Sequence, residues 1–168
     1  MEPPRVVTPE GIRVRSAAKH DCDALLALYC EVHDAHLDRD PEEFEPLTPQ
    51  DEARMLREFA QADASQLFVA ESARGLVGCV RFELRSAHRT GRRARPRVYI
   101  DLLVVAPKWQ AKGVGAMLLE HVHGVARSSG IDTVELDVYQ FNAAGLRLYE
   151  KMGYATTLRR MKLRLDRV

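Results

Sequence analysis

Residues Val98 to Leu119 read VYIDLLVVAPKWQAKGVGAMLL, and three unlike segments follow one another there. Val98 to Val105 is an apolar run broken by one charge, Asp101. Pro107 to Gly115 is a loop carrying Gln110, Lys112, Gly113 and Gly115. From Val114 onward, Leu118, Val122 and Val125 recur at the spacing of an amphipathic helix. Strand, glycine-bearing loop and helix N-terminus in this order gather unpaired backbone N–H groups at the positive end of a helix dipole. Such a place binds anions, and a pyrophosphate is the anion the stretch suggests.

Before this stretch, Ile12 to Arg15 alternates apolar and basic residues and predicts a strand. Asp21 is the expected cap of a helix with Leu25, Leu28, Tyr29 and Val32 on its apolar side. After an acidic, proline-punctuated segment, Thr48-Pro49 with Asp51 predicts a second helix start, with Leu56, Phe59 and Ala60 as its buried stripe. Gln66–Ala70 and Leu76–Leu84 predict a hairpin turning at Arg74-Gly75. An arginine-rich loop, SAHRTGRRARPR, leads back to Val98.

Beyond it, the helix is expected to end near Ser129-Gly130. Val134, Leu136 and Val138 alternate as a strand. Asn142 is placed to cap a short helix through Met152, with Leu146 and Tyr149 inward and Gly153 as the stop. Leu158 to Leu165 predicts a last strand. Antiparallel strands followed by a strand–helix–strand crossover give an α/β fold with a mixed sheet and one parallel pair.

The 168 residues suffice for a single domain, read as 11–168 behind a flexible N-terminus, 1–10. A net charge of +1 gives no general attraction to nucleic acid or to a membrane. Three cysteines without framework spacing, and no apolar run of spanning length, fit reduced thiols in a cytoplasmic protein.

The glycine loop has several possible owners. A phosphate-binding loop of the nucleoside triphosphatases needs Lys and then Ser or Thr after its second glycine, but Ala116-Met117 follows Gly115. A dinucleotide site needs a third glycine where Leu118 stands, and needs its crossover to come first; Asp137 alone lies in the right region for a ribose. The remaining reading is a plain strand–helix connection whose glycines allow close packing.

Two blocks together narrow the choice. Val105-x-Pro107-x-x-Gln110-x-x-Gly113-x-Gly115 resembles motif A of the GNAT acyltransferase superfamily. Asn142-x-x-Gly145-x-x-x-Tyr149-Glu150-Lys151-x-Gly153-Tyr154 resembles that superfamily's second block. Ala111 stands where glycine is common, Gly145 where alanine is, and Tyr154 where Phe is. The resemblance implies a mostly antiparallel mixed sheet with a central, splayed parallel strand pair and flanking helices. It implies acetyl-CoA as cosubstrate and no metal. Gln110, Ala111, Lys112, Gly113, Val114 and Gly115 would hold the pyrophosphate, and Gly113 and Gly115 lack a Cβ that would keep phosphates away. The backbone of Leu103, Val104 and Val105 would hold the pantetheine arm, and Asn142 would contact the cofactor besides capping its helix.

The implied reaction is direct attack of an amine on the thioester, which needs one proton removed and one delivered. Tyr149 matches the family tyrosine that protonates the departing thiolate. Asp101 is the candidate base: it is the one charge in an apolar strand, and simple alternation sets it on the face of Leu103 and Val105.

For the acceptor, Glu31, Asp34, Asp38, Asp40, Glu42, Glu43 and Glu45 crowd the connection between the first two helices. Acidity there suits a small cationic amine. A protein amine acetyltransferase and a catalytically silent acyl-CoA sensor are the other readings. His33 and His36 are further acid–base candidates, but with Cys30 their spacing does not bring three ligands onto one helix face, against a metal. Arg89, Arg92, Arg93, Arg95 and Arg97 read as a solvated loop without nucleic-acid motifs. Acidic and basic segments are also able to pair across a homodimer.

Overall fold

A computed structural model describes residues 11–86, 95–163 and 165. The N-terminal stretch and Arg89, Arg92 and Arg93 lie outside these residues. The strands β1 (Arg13–Ser16), β2 (Leu67–Ser72), β3 (Gly75–Ser86), β4 (Pro96–Val105) and β5 (Val134–Leu136) form one sheet in sequence order. Neighbours pair antiparallel through β4, and β4 pairs with β5 in parallel. The parallel pair follows from the crossover through helix α3 (Val114–Ser128), which carries the chain back to the start of the sheet.

Helices α1 (Cys22–Leu37) and α2 (Pro49–Gln61) cover one face of the sheet, while α3 and α4 (Ala143–Lys151) cover the other. This is why Leu67 to Ala70 of β2 is apolar without a break. Leu67 and Val69 pack under α1 and α2, and Phe68 and Ala70 pack under α3. On the α3 side Val114, Leu118, Leu119 and Val122 are completely buried against Val80, Phe82, Val98 and Ile100. Each large aliphatic side chain so buried stabilises the fold by about 1.5–3 kcal/mol. Gly78 lets α3 come this close: a Cβ there would stand 2.8 Å from the Val104 carbonyl oxygen and 3.2 Å from Leu118.

Three expectations need correction. Asp21 stands at the N-cap position of α1, but its carboxylate does not cap the helix. A short 3-10 turn over Lys19–Asp21 gives Asp21 a helical backbone, and its oxygens accept from Arg15 at 2.7 and 3.0 Å and from the Ala18 amide at 2.8 Å. In α2 the Thr48–Asp51 capping box forms, but the buried pair is Met55 and Phe59, with Leu56 half-buried and Ala60 exposed. Among the described residues the expected last strand does not form: residues 154–163 are neither helix nor strand, and β5 is the last strand described in the sheet. A strand exists only against a partner edge, and β5 offers a ladder three residues long.

Candidate active site

The parallel ladder stops early. Val98, Tyr99 and Ile100 of β4 pair with Val134, Glu135 and Leu136, and no pairing between these strands continues beyond Ile100. Beyond Ile100 the two strands part, while β4 stays paired with β3 through Val105. Backbone direction in that half of β4 can be read from one bond. The Ala106 amide donates to Val77 of β3 at 2.9 Å, so alternation turns Val104 to β3 as well and turns the N–H and C=O groups of Leu103 and Val105 into the gap. Val104 was expected beside them in holding pantetheine, but its backbone faces Cys79 and its side chain is buried under α1 and α2. The Gln110 side-chain amide donates to the Val105 carbonyl at 3.1 Å, which ties the glycine loop to the mouth of the gap.

At that mouth α3 begins without a cap. Its N-cap residue is Gly113, with φ 89°, and the first turn contains no acidic residue. Nothing from the helix's own start competes for the first-turn amides or neutralises the positive dipole end. Ala111 also has a left-handed backbone, φ 57°, at the position where a glycine is common in the family. Lys112 places its ammonium 5.5 Å from the Trp109 ring centre, so this charge lies over an aromatic face beside the loop.

Gly113 and Gly115 differ in role. Gly113 supplies the positive φ that starts the helix. At Gly115, a Cβ would meet Leu148 of α4 at 2.9 Å and Val105 at 3.7 Å. Its lack of a Cβ allows the close contact of α3 with α4.

Helix α4 presents the second block. The Asn142 side-chain oxygen accepts from the Gly145 amide at 2.9 Å, closing the helix start. A Cβ on Gly145 would stand 2.8 Å from the Asn142 Nδ2, so glycine at this position goes with the amide folded down over the turn. Tyr149 lies against the α3-side core with its ring at 62° to Tyr154, centres 5.8 Å apart. Burial pushes its phenol up to about 12, which keeps it protonated through the neutral range. The Tyr154 hydroxyl bonds His123 Nε2 of α3 at 2.8 Å, and burial pushes the His123 imidazole down.

Asp101 does not share the face of Leu103 and Val105. Arg81 pairs with Leu102 and Phe82 with Ile100, which leaves Asp101 as the extra residue of a β-bulge. The bulge resets the alternation. Ile100 and Leu103 face α3, whereas Leu102 and Val104 face α1 and α2. The Asp101 carboxylate accepts from Arg81 at 2.8 and 2.7 Å, and Arg81 also reaches Glu58 of α2 at 3.4 Å and lies over Phe59. Asp101 therefore projects to the α2 side of the sheet, away from Tyr149. Single-residue alternation cannot foresee this; only the pairing register reveals it.

The acidic connection is fastened by aromatic rings. Phe44 packs edge-on against His36 at 5.4 Å, Tyr139 at 5.2 Å and Phe141 at 6.3 Å. His33 is bonded to the Glu45 carbonyl at 2.8 Å, and His36 to the Val32 carbonyl at 2.7 Å. The connection is thus brought to the end of β5, next to Asn142. Sequence reading missed this cluster. Its one signal is Phe44, a lone aromatic in an acidic run, and nothing local pairs it with Tyr139 and Phe141. Among the described residues no helix is long and apolar enough to cross a membrane.

The fold has known counterparts. A family model described as "Acetyltransferase (GNAT) family" matches residues 22–154. A putative phosphinothricin acetyltransferase of Bacillus subtilis is 30% identical over 146 residues, 84% of this chain and 83% of that protein. The mycothiol acetyltransferase of Saccharomonospora viridis is 32% identical over 166 residues, but the match spans 91% of this chain and only 49% of that protein. A [ribosomal protein bS18]-alanine N-acetyltransferase of Salmonella typhimurium is 41% identical over 59 residues, 34% of this chain and 40% of that protein. Among solved structures, a mutant of the BH1408 protein from Bacillus halodurans superposes with a TM-score of 0.76 at 23% identity, covering 91% of this chain and 99% of that one. The aminoglycoside N-acetyltransferase AAC(6')-Iy in complex with CoA superposes with a TM-score of 0.67 at 18% identity, covering 95% and 99%. At these identities the superpositions speak for the fold.

Proposed function

The chain belongs to the GNAT acetyltransferase family, and from that premise we propose that it transfers an acetyl group from acetyl-CoA to the primary amine of a small molecule. The observation that carries this reading is the opening of β4 from β5 beyond Ile100, directly beside the uncapped start of α3. The open edge offers Leu103 and Val105 backbone groups to an extended amide-bearing arm. The helix start offers the amides from Ala111 to Gly115 to a pyrophosphate, with Lys112 adding charge. One ligand has both parts in that order, and acetyl-CoA supplies an electrophilic thioester at the far end of its arm.

In this proposal the amine forms a C–N bond to the acetyl carbon and the C–S bond breaks. The proton lost by the amine passes to Asp101 through solvent, and Tyr149 gives its phenolic proton to the departing sulfur. Arg81 holds the Asp101 carboxylate in one orientation. The acidic connection docked beside Asn142 favours a cationic acceptor, by attraction of the ammonium before it loses its proton. Phosphinothricin and mycothiol acetyltransferases among the relatives agree with a small acceptor.

The test is a turnover screen of small amines and of peptides with free N-termini or lysines, read as free CoA thiol released. Small cationic amines are expected to give the largest kcat/KM. Turnover confined to peptides would shift the acceptor to protein. Tight binding of acetyl-CoA with no turnover on any amine would replace the enzyme with a sensor.

A further inference from the structure

Helix α4 carries Tyr149 yet is loosely held. None of its residues is fully buried, and Leu148 and Tyr149, with Met152 just beyond the helix, only lean on the α3-side core. The end of α4 is closed by two backbone bonds. The Gly153 amide donates to the Glu150 carbonyl and the Tyr154 amide donates to the Tyr149 carbonyl, both at 3.0 Å. With Gly153 at φ 89°, this is a Schellman turn. In such a turn the residue after the glycine packs on the residue whose carbonyl it binds. Here Tyr154 packs on Tyr149, ring centres 5.8 Å apart. Tyr154 therefore holds Tyr149 twice, through its backbone and through its ring.

The Tyr154 hydroxyl leads to the other helix. It is bonded to His123 Nε2 of α3 at 2.8 Å, with the two ring centres 5.6 Å apart. His123 is firmly placed, because it follows Val122, which is completely buried in the core. Glu120, one helical turn earlier, stands 3.8 Å from His123 Nδ1, and Arg127 reaches the same carboxylate at 3.3 Å. A carboxylate on that side draws the ring proton to Nδ1 and leaves Nε2 to accept from the tyrosine. A phenylalanine, common at position 154 in the family, would pack the same ring and could not make this bond. The hydroxyl adds a directional tie between a well-buried helix and a loosely held one.

We propose that His123 and Tyr154 are positioning residues for Tyr149: their hydrogen bond fixes the closing turn of α4 on α3 and so sets where the Tyr149 hydroxyl stands when it protonates the departing thiolate. This rests on the acid role proposed for Tyr149 above. The chain of contacts is short. His123 is set by the buried face of α3, Tyr154 is set by His123, and Tyr149 is set by the ring and amide of Tyr154. Neither positioning residue gives or takes a proton in the reaction. A proton passes well only over a hydrogen-bond distance, so a small swing of the α4 end would slow the step that Tyr149 serves.

The experiment uses the full chain at saturating acetyl-CoA, with the small amine of largest kcat/KM in the turnover screen as acceptor and released CoA thiol as the signal. Y154F and H123L are each expected to lower kcat by about tenfold, since a displacement of about 1 Å at a reacting group costs up to about 10²-fold. Acetyl-CoA affinity by calorimetry is expected to stay within about twofold. H123Q, whose amide can reach the same hydroxyl, is expected to recover most of the loss. Y154F/H123L is expected to be no slower than either single variant, because both remove the same bond. Y149F/Y154F is expected to be no slower than Y149F, because the tie acts through the Tyr149 hydroxyl. Amide hydrogen exchange at Gly153 and Tyr154 is expected to quicken in Y154F, and exchange as slow as in the wild type overturns the proposal. Full kcat in Y154F, where Y149F has lost its own, also overturns it. A Y154F loss that persists undiminished in the Y149F background overturns it too, since the tie would then serve stability alone. Full kcat in Y149F, or no turnover in the wild type, overturns the acid assignment and the proposal with it. If H123L fails to fold, Y154F alone and in the Y149F background decides.

Discussion

At Tyr149 burial holds the phenol protonated well above neutrality, so a single hydroxyl is kept as a donor in an apolar wall. Y149F removes that donor and little else, and it should lower kcat by about 10²-fold or more while acetyl-CoA affinity by calorimetry stays within about twofold. Equal losses in both would make Tyr149 a binding residue. Asp101 calls for a different experiment. D101N leaves the bulge in place but weakens the ion pair with Arg81. If Asp101 takes the amine proton, the variant slows turnover at neutral pH and moves the rising limb of the pH–rate profile. An unchanged limb together with a lower melting temperature assigns the residue to structure. The residue types at both positions were legible in the chain. The direction of Asp101 was not, because one extra residue in β4 turns its side chain to the other face of the sheet.

Among the elements, the start of α3 matters most, and it combines what it lacks with what it has. It lacks a capping side chain and an acidic first turn, and it has a left-handed glycine at its N-cap. G113V puts a branched side chain at φ 89°, where L-residues are strained by about 1–2 kcal/mol. Acetyl-CoA affinity should fall at least about tenfold, a change of about 1.4 kcal/mol. Full affinity in calorimetry would remove the loop from the cofactor site. Gly78 tests packing rather than binding. G78A drives a methyl to 2.8 Å from a backbone oxygen that cannot move aside, and it should cost about 1–3 kcal/mol in denaturant melts. The helices, the hairpin and the caps at Thr48 and Asn142 were readable because propensity and tertiary packing agree there. The predicted last strand was not realised, because alternation specifies a strand's faces and leaves its partner unspecified.

At the scale of the whole molecule, the parallel pair followed from element order alone, since a crossover helix permits little else. The gap between β4 and β5 did not, because it depends on where a ladder stops. The buried ionisable groups also act on the molecule as a whole. Cys79 and Tyr149 are each pushed up to about 12, and Tyr29 and Tyr154 are raised as well, mainly by burial. All four are neutral when protonated. Unfolding lets them lose protons near their ordinary values of about 8.5–10, while the folded chain retains them to higher pH. Between these limits the unfolded state binds fewer protons, so stability must fall as pH rises above about 9. Urea midpoints at neutral pH and near pH 10.5, about half a unit above the ordinary tyrosine value, should show this decline. A constant midpoint would mean that these side chains are solvated.

The central claim is that acetyl-CoA lies with its arm along β4 and its pyrophosphate at the start of α3. A titration of the ¹⁵N-labelled chain with acetyl-CoA, followed amide by amide, tests it most directly. The account predicts that Leu103, Val105 and the residues from Ala111 to Gly115 shift together and saturate at one affinity, while β1 and β2 stay still. Saturable binding that moves other amides and leaves Leu103 and Gly113 in place would contradict it.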